Sequence, residues 1–152
     1  MPRLAKKATA QPLKDMLQMH VEQTEGQVER LEKALEQLGA RPGRKVCEGM
    51  RGLIEEAQHE LEDHEKGPMM DVVVVAAQQK VEHYEIAAYG TMAALAKAAG
   101  QKQVAELLAE TLREEEETDK KLSALAESEI NPQAIQQGGG AKDQGGGSRK
   151  SA

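Results

Sequence analysis

Six side chains of metal-ligating type fall on or beside the inner rows of helical repeats: His20, Glu22, Glu82, Glu85, Glu115 and Asp119. Glu85 and Glu115 interrupt apolar rows near their middles, so both carboxylates are aimed at the core of whatever the helices build. His20 and Asp119 fall on rows of the same kind, and Glu22 lies close to His20 along the chain. Glu82 sits one turn before Glu85 and either reaches the same site or stays on the surface. Burying a carboxylate without a partner costs several kcal/mol, on the order of the stability of a whole domain. Inward carboxylates therefore need a cation, a shared proton or a basic partner. Oxygen ligands with one imidazole suit iron or manganese, and carboxylates on facing helices are the plan of di-metal sites in bundle cores. A hydrogen-bonded, partly hydrated polar core accounts for the same residues without metal, and the residues alone leave both readings open.

That plan is met only in part. Di-metal bundles use a Glu-x-x-His on two of their helices, and here Glu115 is followed by Thr118 and Asp119 instead. The one true Glu-x-x-His, at Glu56 and His59, falls beside the core row Met50, Leu53, Ile54, Ala57 and Leu61, which reads as a solvated flank. His83 is also a flank residue. Cys47 opens a helix, where a thiolate is stabilised, yet it reads as structural, and Tyr89 as a packing residue rather than an electron relay.

The elements that position these groups are helices. Residues 2–8 read as the last turns of a helix, followed by helices over 12–38, 46–66, 70–99 and 102–127. Gly39, the pair Gly67 and Pro68, and Gly100 mark their ends. On the long helices the rows are Leu13, His20, Gln27, Ala34; then Val74, Ala77, Val81, Glu85, Ala88, Met92, Leu95; then Val104, Leu108, Thr111, Glu115, Thr118 or Asp119, Leu122, Leu125. Residues 4–31 align with 95–122 at a constant offset of 91. Leu4, Ala5 and Lys6 match Leu95, Ala96 and Lys97, and Thr24 matches Glu115, so two helix pairs are related by pseudo-symmetry. The expected fold is an all-α, ferritin-like four-helix bundle over 1–129 with an extra connector helix. Met1 falls inside the first helix, which is thus expected to be truncated and to leave an exposed apolar groove. Residues 130–152 carry two Gly-Gly-Gly runs and few apolar groups, and read as a disordered tail.

Composition narrows the function. Phe and Trp are absent and only two Tyr occur, which argues against base stacking on nucleic acid. The net charge of −6 gives the body no basic footprint for nucleic acid or anionic membrane. No apolar run is long enough to span a bilayer and no secretory leader is evident. A single cysteine excludes an internal disulfide, and a cytoplasmic location is expected.

The stretches CEGMRGLIEEA (47–57), HVEQTEGQVERLE (20–32) and above all QKVEHYEIAAYGTMAALA (79–96) resemble the ferritin-like YciE/YciF bacterial stress-protein family, as does the gapped pattern over 110–122. The resemblance spans about residues 2–130. It implies a rubrerythrin-like, usually dimeric bundle associated with bacterial stress. It also implies a di-iron or di-manganese carboxylate site, carried over here to Glu82, Glu85, Glu115, Asp119, His20 and Glu22. The family's first helix carries a further Glu ahead of the part that matches residues 2–8, so the site is expected to be incomplete. The alternative expectation is a non-enzymatic structural stress protein acting through dimerisation or a partner helix.

Overall fold

The computed structural model describes residues 2–140 as helices joined by short connections. These are α1 (Pro2–Lys7), α2 (Gln11–Gln37), α3 (Glu48–Glu62), α4 (Pro68–Ala98), α5 (Lys102–Leu125) and α6 (Asn131–Gly140). A five-residue π-helical turn, Ala126–Ile130, joins α5 to α6 without a break. The all-α bundle read from the sequence is therefore the fold, and helix ends fall within four residues of those expected, apart from the last.

The breakpoints are chemical. Gly39 and Gly100 take positive φ, 64° and 76°, and close α2 and α4. In both, the amide after the glycine returns to a carbonyl one turn back, Ala40 N to Leu35 O and Gln101 N to Ala96 O, each at 2.9 Å. Only a residue without a Cβ adopts this cap without strain. The start of α2 is capped from a distance: Asp71 on α4, 1 % exposed, accepts hydrogen bonds from Thr9 N, Thr9 Oγ1 and Ala10 N. One buried carboxylate thus fixes the α1–α2 junction to α4.

The longest interface is the α4–α5 hairpin; α2 packs on α5, α3 on α4, and α1 bridges α2 and α4. The core has two apolar clusters. One contains Leu13, Leu17, Leu61, Met70, Val74 and Leu122; the other is built on Ala34, Tyr89, Val104 and Leu108. Between them lies a polar layer.

Two expectations are corrected. The row on α4 is not buried throughout: Met92 is 39 % and Leu95 68 % exposed. The first part of the row, Val74, Ala77 and Val81, is buried as expected, together with Val75, Gln78, Glu82 and Tyr89, and it is only the far end of α4 that no described helix covers on the Met92 and Leu95 side. Residues 131–140, expected to belong to the tail, are helical. The π-turn adds a residue to the turn and swings Ile130 and Ala134 into buried positions, which overrides the poor helix propensity of the glycines. The remainder of the expected tail lies outside the described residues.

Replacing Asp71 with Ala orphans two backbone amides and a hydroxyl in a buried position. A loss of about 3 kcal/mol in unfolding free energy is expected, measured by urea denaturation, with Asp71→Asn losing less.

Candidate metal centre

His20 reaches the polar layer because the row Leu13, Leu17, His20, Gln27, Ala34 is the buried face of α2. Glu115 lies on the buried face of α5, in the row Val104, Leu108, Thr111, Glu115, Thr118, Leu122. Glu82 comes from α4, one turn after the buried Gln78. His20 is 3 % exposed and both carboxylates 0 %. One ligand atom from each of the three lies within 4.8 Å of the other two.

His20 Nε2 stands 3.2 Å from Glu82 Oε1 and 4.0 Å from Glu115 Oε2. Neither approach has hydrogen-bond geometry, so Nε2 is left without a partner. Glu82 Oε2 and both oxygens of Glu115 are likewise unpartnered. Gln78 donates to Glu82 Oε1, and the Thr118 hydroxyl meets His20 Nδ1 at 3.4 Å. Gln78 and Thr118 thus orient the ring and one carboxylate while leaving one edge of each free.

Burial, reinforced by Glu115 opposite, pushes the Glu82 carboxyl up to about 10. Burial and Glu115 raise Glu85 to about 7. Burial lowers His20, against the pull of Glu115, so its imidazole is neutral and able to act as a ligand at neutral pH. The protein's own cation does not relieve the layer. Arg30 is bound in a two-pronged pair with Glu114 and also meets Glu110 and Thr111.

Of the residues singled out in the sequence, His20, Glu82 and Glu115 come together. Glu85 is half-buried beside them and faces an apolar cavity. Asp119 accepts from Gln79 and pairs with the exposed His83 at 3.3 Å, outside the cluster. Glu22 lies on the exposed side of α2. Glu56 is an exposed partner of Lys80, and His59 is exposed. Tyr89 is buried in the second apolar cluster. Cys47 is exposed and hydrogen-bonds with Tyr84 at 3.0 Å, which together with the amides of Met50 and Gly49 lowers its thiol pKa. Gln78 was not anticipated; its signal was its place four residues before Glu82, within hydrogen-bond reach along one helix face.

The donor set fits a divalent ion. Buried carboxylate oxygens and a neutral imidazole, all with free lone pairs, are what hard to borderline cations require. Lacking an ion, the layer must hold protons.

Residues 1–135 match the family described as "Domain of unknown function (DUF892)". Protein YciF of Escherichia coli (strain K12) is 44 % identical over 133 residues, covering 87 % of this chain and 80 % of that protein. The crystal structure of the E. coli stress protein YciF superposes with a TM-score of 0.80, covering 84 % of this chain and 81 % of that one. YcfI from Rhodopseudomonas palustris, described as a candidate structural protein, gives a TM-score of 0.78 at 36 % identity, covering 80 % and 78 % of the two chains.

The raised carboxylates set the pH dependence of the metal-free chain. Above 6.5 His20 is neutral both folded and unfolded, so only the carboxylates count. The folded chain keeps protons that the unfolded chain releases above about 4.5. Stability therefore falls as pH rises, through about 7 for Glu85 and on toward 10 for Glu82. Thermal melts of metal-free protein at rising pH should show a decreasing Tm, and Glu82→Gln should flatten the slope.

Proposed function

We propose, for a chain that belongs to the DUF892 family and is a relative of YciF, a stress-response protein that holds iron or manganese in its core. His20, Glu82 and Glu115 are its ligands. The observation that carries this reading is the set of unpartnered buried atoms: His20 Nε2, Glu82 Oε2 and both Glu115 oxygens. A cation satisfies all of them together, whereas a proton joins at most two of the three groups.

The chain's own groups divide the work. Thr118 and Gln78 fix the directions of His20 and Glu82, as supports behind metal ligands do. The two apolar clusters exclude water from above and below. Glu85 stands ready for a second ion, which makes a di-metal centre dependent on its turning inward. When bound, iron supplies one-electron chemistry toward oxygen or peroxide, and manganese a similar charge. The reading does not require enzymatic turnover. E. coli YciF is described as a stress protein, and the same role is proposed here, in the cytoplasm.

A second reading, a structural protein acting as a homodimer, is favoured by one observation. Val28 on α2 and Met92 and Leu95 on α4 are large, apolar and exposed, and exposed apolar area of this kind marks association surfaces. The two readings are compatible. Sedimentation at micromolar concentration should show a dimer that Leu95→Glu reduces to monomer.

Metal binding is tested by loading with Fe(II) without oxygen, desalting, and counting metal by mass spectrometry. About one iron per chain is expected from three ligands to one ion. Glu115→Ala and Glu82→Ala should retain less than a tenth as much while keeping their helical spectra. Bound metal should raise Tm, most at neutral and higher pH where it replaces protons. Equal retention by the variants, or none by the wild type, would sink the assignment.

A further inference from the structure

An apolar cavity of about 410 Å³ opens between α1, α3 and α4. Leu4 of α1, Met50, Ile54 and Ala57 of α3, and Ala77 and Val81 of α4 line it. Its size lies within the roughly 300–1,000 Å³ of ordinary small-molecule sites. Ala77 and Glu85, both on its wall, are two turns apart on α4, about 12 Å, so the cavity is elongated along that helix. Its polar lining is confined to Thr24, Gln58 and Glu85.

A second recess of about 360 Å³ adjoins the first, with Gln58 and Leu61 lining both. Its remaining lining is Lys6, Lys7 and Lys66, with Glu62 the single acid. Three lysines against one carboxylate stand out on a chain of net charge −6. Lys7 donates to the Leu61 carbonyl at 3.1 Å, while Lys6 and Lys66 are exposed. Surface lysines alone specify nothing. Lysines at the mouth of an apolar cavity specify a molecule with an anionic head and an aliphatic tail.

We propose that this double recess binds a fatty acid, with the alkyl chain along α4 in the cavity and the carboxylate at Lys6, Lys7 and Lys66. The cavity shares Glu85 with the surroundings of the metal centre, but the proposal does not rest on metal binding. An amphipathic helix or a second copy of the chain could also cover apolar walls, but neither calls for a cluster of cations at one end. A fatty acid also matches the one-sided placing of positive charge: lysines at the mouth and none along walls where Thr24, Gln58 and Glu85 are the polar groups.

The test uses the full chain and dodecanoate, dodecanol and dodecylammonium below their micelle concentrations, each displacing a fluorescent fatty acid. Dodecanoate should bind at least tenfold more tightly than either of the others. Affinity should rise roughly three- to fourfold per methylene from octanoate to dodecanoate. The double variant Lys6→Glu with Lys66→Glu should lose tenfold or more for dodecanoate and leave dodecanol unchanged. Ile54→Glu, at a side chain already 47 % exposed and so tolerated by the fold, should weaken all binding. Equal affinity for the three head groups would overturn the proposal, as would no binding. So would dodecanoate binding that survives both variants, or a dimer that covers the cavity and excludes the probe.

Discussion

The structure turns on two carboxylates, Glu82 and Glu115, placed without exposure between two apolar clusters. An isolated ionised pair in that setting would cost more than the roughly 5–15 kcal/mol by which domains are stable. The neighbouring groups do not neutralise it: Gln78 is neutral, His20 is held neutral by burial, and Arg30 is committed to Glu114. The charge state of the layer is therefore set by what is taken up from solution, protons or a metal. The energetics of the fold and the chemistry of the site are the same problem.

The rest of the bundle makes that arrangement affordable. Apolar packing above and below the layer supplies the stability that the layer consumes, and leucine, valine and methionine do it without any Phe or Trp. Asp71, a third buried carboxylate, shows the opposite solution. It accepts two amides and a hydroxyl and is fully satisfied by the chain. Among the described residues, buried acids are thus either saturated with donors or gathered at one point with none to spare. Only the second arrangement leaves lone pairs for a ligand.

Much of this was legible in the sequence. Helix spans followed from apolar spacing and from Gly39, Gly67 and Gly100, because those signals are local and covalent in origin. His20 and Glu115 could be placed inward because each replaces an apolar residue in an otherwise regular row. Glu82 could not be ranked above Glu85, since residues three apart share a helix face and only the packing of α5 decides which points to the centre. The same cause misplaced the lower half of the α4 row: Met92 and Leu95 are apolar, but periodicity does not say whether a partner exists. Asp119 had the right spacing and the wrong company, Gln79 and His83 holding it outward. The helix at 131–140 was hidden because its glycines oppose it and only the distant burial of Ile130 and Ala134 supports it.

The pseudo-symmetry gives the site its direction. Glu115 on α5 corresponds to Thr24 on α2, so one half of the repeat brings a carboxylate where the other brings a hydroxyl that is spent on the His20 carbonyl at 2.8 Å. The carboxylates consequently come from α4 and α5, with α2 contributing only the imidazole. Since α2 packs on α5 and hardly on α4, the His20–Glu82 approach is a principal link between two helices that otherwise stand apart. A cation at that point would draw α2 and α4 toward each other, whereas a proton shared between Glu82 and Glu115 links α4 to α5 and leaves α2 aside. Thr24 and Val81 lie on these same two helices and both line the neighbouring cavity.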